Sequence, residues 1–216
     1  MTFYRTVWWI AYCLSGLLFR VRVEGRGNIP TVGGIVLACN HCSYVDPVLI
    51  GVAAGRELWY VTKREVFPLP LLGRLILKLH AMPIDRSRGD RVGLRTMESH
   101  LKGGRAILLF PEGKRNRSGQ FLIPKSGVGM VVFRTSVPVV PVYLSGTVNV
   151  WKNLIGLDRV TVRFGEPIRF RPDQLPQRRK EAYKSISCEV MQKISDLKQA
   201  YRKVGTVAPA SHTSFR

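Results

Sequence analysis

Residues 34–47, GIVLACNHCSYVDP, decide how the rest of the chain is read. GIVLAC, 34–39, is a continuous apolar run of strand length. It lacks the alternation of a half-exposed strand and suits one buried on both faces. A polar turn follows, and Asp46-Pro47 opens a helix expected through residue 53. Strand, short turn and helix in succession form the repeating unit of α/β layer folds.

Outward from this stretch the alternation continues. LWYVT, 58–62, reads as a strand, and LPLLGRLILKLH, 69–80, as a strongly apolar helix. MPID, 82–85, is a short strand. Residues 90–102 form an amphipathic helix stopped by Gly103-Gly104. AILLF, 106–110, is a buried strand, 126–134 a short helix, and VPVVPVYL, 137–144, and RVTVRFG, 159–165, are strands; a basic helix fills 173–203. The pattern predicts an α/β fold with a central, mostly parallel sheet flanked by helices. No repeat or long linker marks a second domain. The expected division is an N-terminal membrane-associating helix with a basic flank at 1–26, one globular domain at 27–204, and a flexible tail at 205–216.

The chain has 216 residues, 45% of them hydrophobic, which suits one domain with a sizeable core and argues against disorder. Its 34 basic and 14 acidic residues give a formal net charge of +20. Such an excess favours a polyanionic partner: nucleic acid, an anionic membrane or phosphorylated substrates. Cysteines stand at 13, 39, 42 and 188. The C-x-x-C around Asn40-His41 has no second pair to complete a zinc ribbon, and Ser43 stands where a haem-attachment motif needs histidine. Neither a metal site nor a disulfide framework is expected, which fits a reducing compartment.

Residues 7–19, VWWIAYCLSGLLF, carry no charge and are bounded by Arg5 and Arg20. As a helix this run reaches roughly 20 Å, short of the ~30 Å hydrocarbon core of a bilayer. A signal peptide has a similar apolar length, but a small-residue cleavage site is missing and Arg20, Arg22 and Arg26 follow at once. The expectation is a helix dipping into one leaflet, with Trp8, Trp9 and Tyr12 near the headgroups and arginines on lipid phosphates. A helix packed on the domain is the alternative.

Candidate chemistry gathers at strand ends. His41 ends the first strand, with Asp46 five residues on. In a sharp turn the carboxylate accepts a hydrogen bond from one ring nitrogen, which fixes the tautomer and leaves the other nitrogen as a general base. Asp46 as a simple N-cap ahead of Pro47 is the structural alternative. FPEGKRN, 110–116, ends the AILLF strand. Pro111 and Gly113 break it into a turn, Arg115 suits bidentate phosphate contact, and Glu112 is placed to accept a substrate hydroxyl; a solvated basic turn is the plainer reading. Lys63 follows LWYVT, and Arg86 follows MPID. In a largely parallel sheet these ends bring His41, Asp46, Lys63, Arg86, Glu112 and Arg115 to one edge, a histidine base among phosphate-binding cations. His80, His100 and His212 lack such surroundings and read as structural or solvated.

Several blocks, in order, resemble the glycerolipid acyltransferases. NHCSYVD resembles their N-H-x-x-x-x-D block, TKREVF the K-x-E-L stretch, and AMPIDR the block ending I-D-R. FPEGKRN resembles F-P-E-G-[ST]-R-S, IPKSGVGM the Lys-x-Gly segment, and VPVVPVYL the proline-containing fourth block. Together they span residues 40–144. Lys114 stands where Thr or Ser is usual, Asn116 where Ser is usual, and Pro83 where an apolar residue is usual. These departures bear on the acceptor headgroup rather than the reaction type.

The resemblance implies a glycerol-3-phosphate acyltransferase-like fold and acyl transfer at a membrane. His41 is implied as the base that deprotonates the sn-2 hydroxyl of lysophosphatidate, with Asp46 orienting it. Lys63, Arg86 and Arg115 are implied to hold the acceptor phosphate, and Glu112 and Gly113 to shape the acceptor pocket. The implied donor is the thioester of acyl-CoA or acyl carrier protein, attacked directly, with phosphatidate as product and no metal or organic cofactor. Anionic membrane lipid is the expected partner, at the cytoplasmic face of a bacterial plasma membrane. A relative acting on glycerol 3-phosphate or a lyso-aminolipid is the alternative. A nucleic-acid-binding protein is disfavoured by the apolar first helix and the lack of a recognised motif. The intact His41, Asp46 and FPEG disfavour a non-catalytic membrane-surface protein.

Overall fold

Strand β2 (Ile35–Cys39) is the axis of the sheet, and all five of its residues are fully buried. In the computed structural model, residues 2–85, 90–149 and 159–206 are described; Arg86, the segment 150–158 and the tail from 207 with His212 lie outside the described residues. The other strands are β1 (Arg22–Glu24), β3 (Leu58–Lys63), β4 (Ala81–Ile84), β5 (Ala106–Leu109), β6 (Val139–Ser145) and β7 (Thr161–Phe164). The helices are α1 (Phe3–Phe19), α2 (Asp46–Ala54), α3 (Pro70–Lys78), α4 (Arg91–Lys102), α5 (Gly127–Thr135) and α6 (Arg179–Thr206).

The strands form one sheet in the order β1-β7-β6-β2-β5-β3-β4. Among the described strand pairs only β6–β7 is antiparallel. β2 pairs in parallel with β5 on one side and β6 on the other. Strand periodicity divides β2 between two cores. Ile35, Leu37 and Cys39 enter the layer with Leu49, Ile50 and Ala53 of α2, joined by Phe19 of α1. Val36 and Ala38 enter the opposite layer with Leu94 of α4, Val131 of α5 and Ile186 of α6. Helices cover both faces, which is why β2 and β5 read as unbroken apolar runs.

Two details depart from the sequence expectation. β1 is a three-residue edge strand, too short for periodicity to reveal, held parallel to β7. The helix expected from 173 begins at Arg179, after a 3-10 turn at Pro172–Gln174. Pro176 holds Leu175 extended (φ −101°, ψ 152°), so no α-helix runs through 173–175.

α1 is bolted to the domain along one side. The Tyr4 hydroxyl accepts the Leu58 N–H at 3.1 Å, and the Trp8 indole donates to the Gly51 carbonyl at 3.0 Å. Its other side leaves Trp9, Ile10, Tyr12, Leu14 and Leu17 exposed. The packed-helix reading describes the first face; the second is apolar and open. Among the described residues no helix is long and apolar enough to cross a membrane.

Candidate active site

Because β6, β2, β5, β3 and β4 run in parallel, their C-terminal ends open on one edge of the sheet. β2 delivers His41 there. Its Nδ1 lies 2.8 Å from Asp46 Oδ2. The same oxygen accepts the backbone N–H groups of Cys42 at 2.6 Å and Ser43 at 2.7 Å. Asp46 is fully buried, and its Oδ1 has no partner among the described residues, so all its bonding runs through one oxygen. The N-cap alternative does not describe this geometry. Val45 occupies the cap without a side-chain bond, and Asp46 begins α2 with its carboxylate folded back over the turn.

The carboxylate oxygen accepts two backbone donors, so the ring is its third donor. That assigns the proton to Nδ1 and leaves Nε2 with a free lone pair. The ring stacks on Phe110, centroids 3.9 Å apart and planes 14° from parallel, and its side chain is 17% exposed. Packing and a hydrogen bond together fix the imidazole while one edge stays open.

The FPEG turn is sewn to this loop. The His41 N–H donates to Glu112 Oε1 at 3.3 Å, the Leu122 N–H to Glu112 Oε2 at 3.0 Å, and the Asn116 N–H to the His41 carbonyl at 2.7 Å. Glu112 is 2% exposed, and both its oxygens hold backbone amides. The geometry makes it a clamp between two loops, and each oxygen keeps a further lone pair. Gly113 sits at φ +68°, and a Cβ there would meet Lys125 Cδ at 2.8 Å. The positive φ is what calls for glycine, since the Lys125 side chain is free to swing away from a Cβ.

Arg115 places its guanidinium 3.3 Å from the centre of the exposed Tyr44 ring, a cation–π contact at the rim of the site. Lys63 is exposed at the end of β3. Arg86 lies outside the described residues, but its neighbour is anchored: the Asp85 N–H donates to Asp90 at 2.9 Å, and Asp90 lies 3.6 Å from Arg64.

Three residues were missed as functional in the sequence. Asn40 spans to β6, donating to the Leu144 carbonyl and accepting its N–H, each at 2.9 Å. Phe110 carries the histidine ring and Tyr44 the Arg115 guanidinium. Asn40 and Phe110 are the first residues of NHCSYVD and FPEG, the one signal that marked them. Beside the loop lies a cavity of about 190 Å³, lined by Asn40, Cys42, Asn116, Ser145, Thr147 and Lys198 among others. The Cys42 thiol is pushed up to about 11, first by burial and then by Asp46, and burial also raises Cys39, so neither is poised as a nucleophile. Among the described residues no group of three or more His, Cys, Asp or Glu is placed to hold a metal.

A fixed imidazole with a buried carboxylate behind it and no adjacent nucleophile suits proton abstraction from a bound hydroxyl. Comparison with known proteins gives the family. A family model described as Acyltransferase matches residues 20–145. A Bacillus subtilis protein named 1-acyl-sn-glycerol-3-phosphate acyltransferase is 30% identical over 149 residues, 68% of this chain and 73% of its own length. A Pseudomonas aeruginosa protein named lyso-ornithine lipid O-acyltransferase is 36% identical over 109 residues, 50% of this chain and 40% of its own. The crystal structure of the 1-acyl-sn-glycerophosphate acyltransferase PlsC from Thermotoga maritima superimposes with a TM-score of 0.68 at 27% identity, covering 90% of this chain and 81% of that one. The matched segment carries β2 through β6 and with them the whole strand-end site, so the chain belongs to the acyltransferase family.

Proposed function

We propose that the protein transfers a fatty acyl group from the thioester of acyl-CoA or acyl carrier protein to the sn-2 hydroxyl of lysophosphatidate. The observation that carries the reading is the His41–Asp46 pair at 2.8 Å, set at a strand-end edge that also bears Lys63 and Arg115. His41 Nε2 takes the hydroxyl proton as the oxygen attacks the thioester carbonyl. A new ester forms, the carbon–sulfur bond breaks, and the thiol leaves with the proton returned by the imidazolium. Asp46 holds the ring and stabilises its charged form. Glu112 and Gly113 shape the pocket by fixing the turn that presents Arg115. Lys63, Arg86 and Arg115 hold the acceptor phosphate. No cofactor takes part. The N-terminal helix associates with anionic lipid at the cytoplasmic membrane face and the remainder folds as one catalytic domain.

The names of the Bacillus and Thermotoga relatives favour a phosphate-bearing acceptor; the Pseudomonas relative favours a lyso-aminolipid as the second reading. Initial rates with lysophosphatidate, lyso-ornithine lipid and glycerol 3-phosphate, each with both donors, separate them. Lysophosphatidate should have the highest kcat/KM, and His41→Ala should lower its kcat by about 10²- to 10⁴-fold. Preference for the aminolipid would replace the acceptor. Near wild-type turnover by folded His41→Ala protein would end the mechanism.

A further inference from the structure

We infer that α3 is a second membrane-docking element, distinct from α1, which brings the catalytic edge of the sheet against the bilayer. The inference rests on the membrane association just proposed and deepens it.

α3 is apolar yet barely packed. Leu69 just before it and Leu71, Leu72, Leu75 and Leu77 within it are 50%, 85%, 44%, 40% and 53% exposed. Gly73 is its one buried residue, and a Cβ there would lie 2.0 Å from the Phe67 carbonyl oxygen. The helix touches the protein through its smallest residue and turns its leucines outward. Leu71 and Leu75 stand one turn apart on one face, with Arg74 and Lys78 one turn apart beside them. Leucines bordered by cations are the composition of a helix lying in a headgroup layer.

The fold sets where such a helix acts. β3 and β4 are parallel neighbours, so α3 must return from the C-terminal edge of the sheet to the other edge. Its leucine-rich start follows Lys63 by a few residues, at the edge where His41 sits. Its far end meets α1, with Lys78 Nζ 5.1 Å from the centre of the Phe3 ring. α1 and α3 thus adjoin, and α3 carries the apolar surface toward the site.

Charge selects a lipid surface as the occupant. From Lys63 to Lys78 the chain has Lys63, Arg64, Arg74 and Lys78 against Glu65 alone. Two copies of a +20 chain repel face to face, whereas anionic headgroups neutralise these cations while the acyl region takes the leucines. A substrate held in a bilayer then reaches His41 without crossing water.

The test uses the full chain with vesicles of phosphatidylcholine and phosphatidylglycerol. Amide hydrogen exchange should slow across residues 69–79, as well as in α1, when vesicles are added. Leu71→Ser with Leu75→Ser should weaken vesicle partitioning by about 10- to 100-fold, given the apolar area each leucine buries. The same variant should keep its kcat on a short-chain, water-soluble lysophosphatidate. Protection of α1 with no change at 69–79 would overturn the inference and leave α1 as the anchor. No protection in either would overturn the membrane reading too. Self-association without lipid that the leucine variant abolishes would make a second copy the occupant. The exchange measurement on the unaltered protein decides even where the variant folds poorly.

Discussion

Asp46→Asn removes a charge from the site while keeping its shape. In the native protein Asp46 Oδ2 takes three donors, at 2.6, 2.7 and 2.8 Å. An asparagine carbonyl in that place retains all three as neutral bonds, so the turn and the imidazole orientation survive. The new amide group then falls at the position of Oδ1, which is buried and without a partner among the described residues. An unsatisfied buried donor costs about 1–3 kcal/mol, a loss of several degrees in Tm for a chain of this size. The catalytic loss is larger. When His41 takes the substrate proton it becomes a cation with its charge centre about 4 Å from the carboxylate, an attraction of about 4 kcal/mol at an effective dielectric of about 20. Losing it slows the step about 10³-fold. The assay is kcat at saturating donor and acceptor, with thermal unfolding measured in parallel. A kcat within about tenfold of wild type, in protein whose Tm falls only a few degrees, would refute an electrostatic role for Asp46.

Arg115→Ala should raise the KM for lysophosphatidate by about 10- to 150-fold, the worth of a charge-assisted hydrogen bond, with much less change in donor KM; steady-state kinetics varying each substrate checks this. Asn40→Ala breaks both bonds to Leu144 and strands two backbone groups between β2 and β6, so denaturant unfolding should show a loss of about 2–4 kcal/mol. His80 is stacked between Tyr4 and Trp59, with Glu57, Arg105 and His100 as its charged and titratable neighbours. Burial holds its pKa below the ordinary 6.5, so the unfolded chain binds more protons as pH falls, and stability present above pH 6.5 is lost below it. Tm measured from neutral to mildly acid pH should therefore decline, and His80→Asn should flatten part of the decline; an unchanged slope would count against the assignment.

Much of the molecule is legible in its sequence. GIVLAC and AILLF announce strands buried on both faces because a two-sided core leaves no place for polar alternation. The order of NHCSYVD, AMPIDR and FPEGKRN along alternating strands and helices put the candidate residues at strand ends. Local sequence could not give the order of those strands in space. β5 inserts between β2 and β3, and this places FPEG against the histidine loop, a contact across 71 residues between His41 and Glu112. Glu112 read as an acceptor for a substrate hydroxyl; only the packed turn shows that both its oxygens also accept backbone amides. Asp46 also read as a helix cap until the fold turned its carboxylate onto His41. The leucines of α3 read only as a strongly apolar helix in the sequence, since hydrophobicity states what prefers to leave water and not whether protein or lipid receives it. Composition and periodicity thus determined the layers and the residue types at the site, because those depend on neighbours a few positions away. Which carboxylate supports the base, which clamps a loop and which apolar helix stays bare were decided by tertiary structure, because each depends on groups brought together from distant parts of the chain.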